Sequence, residues 1–185
     1  RHPGLPLVFD CGLEGDELFY YTMEWCRGGT LLEFVSRKQS HSDRLAVLQR
    51  VVEVVAFLHR NGISHGDLSP LNILVREQDG DFGIKVLDVG GGGTEAAAAL
   101  EYCAPERLGG RGIPTVSSDV FSLGLLSWLI VHGEHPFQEY PRSWRRTEGK
   151  GPVKGVPRGF WNALEGALAR EPSKRTLSAD DLAAG

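Results

Sequence analysis

Three polar residues in this sequence are spaced so that they could do chemistry together. Asp67 and Asn72 lie five residues apart, and Asp88 follows sixteen residues later. A carboxylate in a loop can accept the proton of a hydroxyl group. Side-chain oxygens of Asp and Asn are ligands that Mg²⁺ takes in proteins. The pattern therefore predicts proton transfer at Asp67 and metal binding at Asn72 and Asp88.

Hydrophobic spacing predicts the elements that must position these residues. Apolar residues recur at three- and four-residue steps from Ser42 to Asn61, which predicts a helix with Ser42 as its N-cap and Gly62 at its end. Two apolar runs, Ile73–Val75 and Ile84–Leu87, flank a turn-forming sequence and predict a β-hairpin. The three polar residues are therefore expected in the loop between helix and hairpin and at the hairpin's end.

The rest of the chain is predicted to be one hairpin followed by helices. Leu5–Phe9 and Leu18–Met23 predict antiparallel strands joined by a turn at residues 12–16. Thr30 is expected to cap a short helix that runs to about Arg37. Further helices are expected over residues 118–131, 160–169 and 178–184. Residues 89–101, rich in Gly and Ala, are expected to form a mobile loop or, over 96–99, a helical turn.

Composition excludes several classes of protein. The chain has 185 residues, 41% hydrophobic and 24% charged, as in one globular domain. Its net charge of −4 argues against a nucleic-acid or membrane-surface binder, which needs a basic face. Three cysteines without C-x-x-C spacing argue against a disulfide scaffold or zinc finger and favour a reducing, cytoplasmic location. The longest apolar run, 120–131, is too short to span a bilayer, and no signal peptide is recognised.

The order of these residues resembles the protein kinase domain of the eukaryotic type. His65 to Asn72 resembles the H-R-D-L-x-x-x-N catalytic loop, and Asp88-Val89-Gly90 is similar to D-F-G. Four further segments match in the family's order: His2-Pro3 after helix C, Met23 to Leu31 at the hinge, Ala104-Pro105-Glu106 as A-P-E, and Asp119 to Gly124 as D-x-W-S-x-G. Arg175 matches the family's late arginine. Each match alone is weak, but together they cover nearly the whole chain.

The resemblance implies a role for each matched residue. Asp67 would be the catalytic base, and Asn72 and Asp88 would hold Mg²⁺ on the phosphates of ATP. The adenine site would consist of the gatekeeper Met23, the Glu24 carbonyl, the Cys26 amide and, beneath the ring, Leu74. The scaffold would consist of an ion pair between Glu106 and Arg175, and of Asp119 bracing the catalytic loop.

The sequence departs from the family pattern where a positive charge is expected. Gly66 replaces the arginine of H-R-D, which removes the usual clamp for a phosphorylated activation loop. Ser69 and Leu71 stand where serine/threonine or tyrosine kinases carry Lys or Arg to offset charge on the phosphoryl group. Val89 replaces the Phe of D-F-G. Thr30 replaces the acidic residue that contacts ribose.

Each of these residues also has a purely structural interpretation. Asp67, Asn72 and Asp88 can serve as ordinary turn residues, although their neighbours favour the chemical role. His65 is expected to be a hydrogen-bonded structural histidine. The side chains of Cys26 and Cys103 are expected to pack in the interior rather than to act in redox chemistry. The cluster 144–146 is expected to be a solvated loop rather than a binding site for a partner. Thr94 is a possible phosphosite, but an unmodified Thr is favoured.

The implied fold is α+β: a kinase-like, mainly helical C-terminal lobe with a small hairpin, preceded by the last two strands and the hinge of the N-terminal lobe. Residues 1–26 would be the end of the N-terminal lobe, and residues 27–185 the C-terminal lobe. Residue 1 is Arg rather than Met, and the match begins after helix C. We therefore expect a single partial domain without the Gly-rich loop, the ATP-binding lysine and the helix-C glutamate, with little turnover alone.

Three functions are compatible with the sequence. The first is a protein kinase, of serine/threonine rather than tyrosine type and similar to bacterial members, acting on an unknown protein substrate. The second is a pseudokinase or interaction module, which Gly66 and Ser69 favour. The third is a small-molecule phosphotransferase of the aminoglycoside or choline kinase type, whose loop often reads H-G-D. The A-P-E match favours the first, because those small-molecule enzymes lack a peptide-docking segment.

Overall fold

A computed structural model describes residues 1–15, 18–90, 100–109, 112–146, 151–175 and 178–184 of the chain. Thr94, the candidate phosphosite, and residues 96–99, the expected helical turn, lie outside this described part. The described residues form five α-helices, a two-stranded sheet and a three-stranded sheet. This α+β arrangement is the class that the sequence predicts.

The first sheet is an antiparallel hairpin of β1 (Val8–Glu14) and β2 (Leu18–Met23). The second strand agrees with the prediction, but the first strand begins later and ends later than predicted. Gly12 was expected in the turn, yet it pairs with Tyr20 inside the sheet. The chain turns at Gly15 instead, whose φ of 64° is accessible to glycine at little cost. Most side chains of this hairpin are exposed.

Two helices follow the hinge segment, α1 (Leu31–Ser36) and α2 (His41–Arg60). Thr30 caps α1 as predicted, in a capping box with Glu33. The prediction that Ser42 caps α2 is wrong, because the cap is Ser40. A capping box needs an acidic partner three residues after the cap, and only Ser40 has one, in Asp43.

The second sheet is antiparallel and has the order β3 (Gly29–Thr30), β4 (Ile73–Gln78) and β5 (Asp81–Val86). Both long strands extend further toward their shared turn than the sequence predicted. The turn consists of Asp79 and Gly80, with φ of 53° and 80°. Positive φ at both central residues suits the right-handed twist of the flanking strands, so a two-residue turn suffices.

The central element is α3 (Val116–His132), in which every residue from Ser118 to Val131 is buried. It packs against α2 on one side and α4 (Arg158–Ala167) on the other. A Cβ at Gly124 would lie 3.1 Å from Ala167 Cβ, so glycine permits the close approach of these helices. Among the described residues, none of the helices is long and apolar enough to cross a membrane.

The chain between α3 and α4 corrects one further expectation. Residues 144–146 were predicted to be a solvated loop, but Trp144 packs against aromatic rings that include Phe137. The Arg146 guanidinium lies 5.0 Å from the Phe137 ring and binds Glu165 at 2.7 Å. The helix α5 (Ala179–Ala184) then packs against α2 and α4. The aromatic cluster is assembled from separated segments, which local spacing does not reveal.

Candidate active site

The loop between α2 and β4 carries Asp67, and the buried carboxylate of Asp119 holds its backbone. Asp119 Oδ2 accepts a hydrogen bond from the His65 amide at 2.6 Å, and Oδ1 accepts one from the Gly66 amide at 2.9 Å. The His59 ring donates to the same carboxylate at 3.2 Å. Hydrogen bonds to ionised groups are roughly twice as strong as neutral ones. Asp119 therefore braces the loop from the start of α3.

His65 fixes the loop from within through both ring nitrogens. Nδ1 accepts a hydrogen bond from the Asp67 amide at 3.2 Å, so the ring proton lies on Nε2. Nε2 donates to the Leu87 carbonyl at 2.9 Å and connects the loop to the end of β5. The ring is fully buried, and this burial lowers the pKa of His65 below its ordinary value. His65 is thus the structural histidine that the sequence favoured.

The neutral His65 ring makes stability depend on pH. In the unfolded chain the ring takes up a proton below pH about 6.5, whereas the folded chain resists protonation because the pKa is lowered. The contribution is fully present above that pH and is lost as the pH falls toward the folded pKa. We expect the free energy of unfolding of the wild type to fall more steeply below pH about 6.5 than that of His65→Asn, by up to about 1.4 kcal/mol per pH unit.

Denaturant unfolding at several pH values between 5 and 8 measures this difference. Identical pH slopes for the wild type and His65→Asn would contradict the assigned ring state. The bond from the Asp67 amide gives the pH effect a second consequence. A proton on Nδ1 removes the acceptor for that amide, so the backbone of Asp67 loses a restraint in acid.

Asp67 and Asn72 are in direct contact, as five-residue spacing in one loop allows. Asn72 Nδ2 donates to Asp67 Oδ2 at 3.0 Å and to the Asp67 carbonyl at 2.9 Å. Both amide protons of Asn72 thus point toward Asp67, and its side-chain oxygen points away from it. The Leu87 amide donates to the Asn72 carbonyl at 2.8 Å and holds the two loop ends together.

Asp88 is exposed and follows β5 after one intervening residue, Leu87, in the left-handed region with φ of 58°. Its Oδ1 accepts a hydrogen bond from the Tyr21 hydroxyl at 2.9 Å. This bond raises the pKa of Tyr21, because the hydrogen bond stabilises the neutral hydroxyl and the negative charge of Asp88 disfavours the phenolate. Sequence reasoning missed Tyr21. The signal was the alternation of Phe19, Tyr21 and Met23 along one face of β2.

A cavity of about 850 Å³ brings two of the three predicted polar site residues together, and Asn72 is not among its lining residues. Asp67 and Asp88 line it, together with the gatekeeper candidate Met23 and the apolar face of the first hairpin. The described residues contain no cluster of three His, Cys, Asp or Glu side chains that could hold a metal alone. The carboxylate of Asp88 and the amide oxygen of Asn72 are hard donors that suit Mg²⁺, which commonly keeps water and phosphate oxygens as its other ligands.

The other adenine-site candidates line a second cavity, of about 350 Å³, which contains Glu24, Cys26 and Leu74. Met23 is absent from it, so the two cavities divide the predicted set. The Glu24 carbonyl accepts a weak hydrogen bond from Cys26 Sγ at 3.5 Å. The Glu24 side chain is bound by Lys85 at 2.6 Å, and this bond lowers the pKa of Glu24. Burial raises the pKa of the Cys26 thiol.

The expected ion pair of Glu106 and Arg175 is present and bidentate. Both nitrogen–oxygen distances are 2.6 Å, and the Arg175 side chain is 1% exposed. Arg175 also donates to the Ser117 carbonyl at 2.9 Å and lies over the Phe121 ring at 4.9 Å. Burial opposes ionisation of Glu106, but the Arg175 bond and charge together hold the pKa of Glu106 below its ordinary value. The pair fastens the A-P-E segment to α3.

Removing Arg175 is expected to destabilise the fold strongly. Arg175→Met leaves a half-buried carboxylate without its partner, which costs about 3 kcal/mol in the free energy of unfolding. Urea unfolding measures the change. The matched control is Lys174→Met, since the Lys174–Glu171 pair is exposed and is expected to contribute less than about 1 kcal/mol. Equal losses in the free energy of unfolding of the two variants would show that the buried pair stabilises the fold no more than the exposed pair does.

Tyr102 is buried beside the A-P-E segment, and burial raises the pKa of its hydroxyl. Ser69 is also buried, at 4% exposure, whereas Leu71 is exposed. The loop from residue 64 to residue 72 contains neither Lys nor Arg. The folded catalytic loop therefore has no positively charged side chain of its own, as the sequence indicated.

Comparisons with known proteins point to one family. The model of the protein kinase domain family matches residues 8–176. The serine/threonine-protein kinase PrkC of Bacillus subtilis is 28% identical, over 99% of this chain and 31% of that protein. A CDPK-related protein kinase of Daucus carota is 36% identical, over 80% of this chain and 25% of that protein. The chain thus spans between a quarter and a third of the length of these relatives.

Solved structures give the same result for the fold. The kinase domain of PknI from Mycobacterium tuberculosis superposes with a TM-score of 0.70 at 22% sequence identity. The alignment covers 100% of this chain and 71% of that domain. At this identity the likeness concerns the fold, and it confirms the kinase-like α+β architecture that the sequence motifs implied.

Proposed function

The chain belongs to the protein kinase domain family, and from this premise we propose that it carries the catalytic centre of a serine/threonine kinase. The observation that carries the proposal is the shared cavity in which Asp67, held by Asn72, faces the same space as Asp88. A base and a metal-binding carboxylate on one cavity are what transfer of a phosphoryl group to a hydroxyl requires. The names of the relatives support serine or threonine as the acceptor.

In the proposed reaction, Asp67 positions the acceptor hydroxyl and takes its proton. Asn72 Nδ2 occupies Asp67 Oδ2, so Oδ1 is the oxygen that faces the hydroxyl. The substrate oxygen forms a bond to the γ-phosphorus of ATP, the bond from that phosphorus to the bridging oxygen breaks, and ADP leaves. Asp88 and Asn72 would hold Mg²⁺, which when bound neutralises charge on the phosphates.

The nucleotide would lie against the hinge. We propose that the Glu24 carbonyl and the Cys26 amide bind adenine, with Leu74 beneath the ring and Met23 as gatekeeper. Three of these four residues line one cavity, which supports the assignment. The Glu24 side chain is engaged with Lys85, and the Glu24 carbonyl accepts a weak bond from Cys26 Sγ, which leaves it a second lone pair for adenine.

We further propose that the whole protein contains more of the kinase domain than this chain. The match covers 71% of the PknI kinase domain, which leaves room for the Gly-rich loop, the ATP-binding lysine and the helix-C glutamate. Residues 1–26 would then end the N-terminal lobe, and residues 27–185 form the C-terminal lobe. The partner would be a protein substrate, and three unpaired cysteines suit a cytoplasmic setting.

The test begins with the coding sequence upstream of Arg1. If it encodes a Gly-rich strand pair, a lysine and a helical glutamate, the whole protein is expressed and incubated with Mg²⁺ and labelled ATP. We expect label on casein and none on kanamycin. Label on kanamycin alone would favour the small-molecule phosphotransferase.

A second candidate function rests on the missing cation. The buried Ser69 and the apolar Leu71 leave the catalytic loop without a positive charge, which favours an interaction module. If the protein is such a module, the whole protein should fold but should transfer no phosphate and show no thermal shift on addition of Mg²⁺ and ATP. A thermal shift of several degrees, together with transfer to casein, would exclude it.

A further inference from the structure

The peptide unit of Gly66, directly before Asp67, is held at both ends. Its amide donates to Asp119 Oδ1 at 2.9 Å, and its carbonyl accepts a hydrogen bond from Arg107 Nη1. Gly66 has a φ of 83°, a conformation that residues with a Cβ adopt only at a cost. The backbone at position 66 thus favours glycine, and Arg107 binds its carbonyl.

Arg107 reaches this carbonyl from the segment that ends in Ala104-Pro105-Glu106. Its own amide donates to the Ala104 carbonyl at 2.9 Å, which closes a short 3₁₀ turn. The preceding residue, Glu106, is fastened by Arg175 through two 2.6 Å bonds. Arg107 is thus presented from a rigid support and joins residues that are 41 positions apart in the sequence.

The charge of Arg107 is not neutralised by an ion pair with any residue in the described part of the chain. Its Nη1 engages a neutral carbonyl, and its Nε is buried without a hydrogen-bond acceptor among those residues. Since residues 64–72 contain no Lys or Arg, this guanidinium brings a positive charge to the residue that precedes Asp67. A charge in a partly buried site acts more strongly than one in water.

We propose that Arg107 is the positioning residue for Asp67 and acts through the backbone of Gly66. By binding the Gly66 carbonyl it fixes the backbone that leads into Asp67, and it couples this backbone to the order of the A-P-E segment. The proposal rests on the proposed kinase function for its effect on rate, but the connection itself is a property of the fold.

The test compares Arg107→Met and Arg107→Lys with a matched control in the whole protein. The control is Arg50→Met, because Arg50 forms an exposed surface pair with Asp81 at 2.7 Å. We expect Arg107→Met to lower kcat by about 10- to 100-fold with KM for ATP changed less than about twofold. Arg107→Lys, which keeps a charged donor, is expected to recover part of kcat, and Arg50→Met to behave as the wild type.

Amide hydrogen exchange gives a second readout that does not depend on activity. In Arg107→Met we expect faster exchange over residues 65–68, while α2 and α3 keep their protection. In Arg50→Met we expect unchanged exchange in all three regions. If Arg107→Met does not fold, Arg107→Gln, which keeps a donor without the charge, replaces it. If Arg107 had only a structural role, Arg107→Met would unfold at a lower temperature, but the folded variant would have the same kcat as Arg50→Met.

The outcomes separate this proposal from the proposed function. Unchanged exchange over residues 65–68, or unchanged kcat in Arg107→Met, overturns the role of Arg107. If the wild-type whole protein transfers no phosphate, the proposed function fails, and exchange alone decides whether Arg107 holds the loop. Faster exchange with a lower kcat and an unchanged KM for ATP supports both.

Discussion

Asp67→Asn in the whole protein is expected to lower kcat for phosphoryl transfer by about 10²- to 10⁴-fold, the usual contribution of a positioned general base. The amide is nearly the same size as the carboxylate, and its oxygen can still accept the hydrogen bond from Asn72 Nδ2 that is 3.0 Å long in the wild type. The fold and the nucleotide site should therefore survive. We expect KM for ATP to change less than about threefold, because Asp67 acts on the acceptor rather than on ATP.

A matched control isolates the base. Asp81→Asn also removes one negative charge, from an exposed carboxylate that pairs with Arg50 on the surface. It should keep nearly full activity, as surface pairs contribute little. Steady-state rates with casein and thermal unfolding of the three proteins complete the measurement. A kcat for Asp67→Asn within about threefold of that of Asp81→Asn would exclude Asp67 as the base.

Asp88→Asn is expected to abolish measurable transfer by weakening the binding of the divalent cation. A bound metal supplies several kcal/mol of charge stabilisation, so its loss corresponds to about 10³-fold in rate. The amide can still accept the hydrogen bond from Tyr21 that is 2.9 Å long in the wild type. The change therefore removes charge and one hard donor while leaving the local contact, and thermal stability should be nearly unchanged.

Mn²⁺ binding, followed by electron paramagnetic resonance in the presence of ATP, reports the metal role directly. We expect Asp88→Asn to bind Mn²⁺ at least about tenfold more weakly than the wild type, and Tyr21→Phe to retain binding, since Tyr21 contributes no ligand to the proposed site. Transfer that survives Asp88→Asn would disprove the metal assignment for this residue. Equal Mn²⁺ affinity in all three proteins would do so independently of any activity.

The elements were predictable where short-range rules decide them. The helix α2 follows from its apolar spacing, and Thr30 caps α1 as local chemistry requires. Errors came where two local solutions compete. Both Ser40 and Ser42 precede the apolar run, but the better-placed partner Asp43 selects Ser40. In the first hairpin, Gly12 and Gly15 both favour a turn, and cross-strand pairing keeps Gly12 in the strand.

The candidate site was predictable to the extent that its residues follow one another in the chain. Asp67 and Asn72 are close because five residues of one loop separate them, and the motif order gave the family that the comparisons confirm. The division of the adenine set between two cavities was not predicted, because the second cavity is completed by Leu74 of β4, which is distant from Glu24 and Cys26 in the sequence, whereas Met23 at the end of β2 lines the first.

The sequence by itself determined the kinase family, the α+β class, and the residues that are candidates for proton transfer and metal binding. Only the tertiary structure decided which distant groups act on them: Tyr21 on Asp88 across 67 positions, and Arg107 on Gly66 across 41. The physical reason is that spacing encodes contacts within a turn or a loop, where the backbone fixes the geometry. A bond between distant segments depends on how all the intervening elements pack, so no local pattern specifies it.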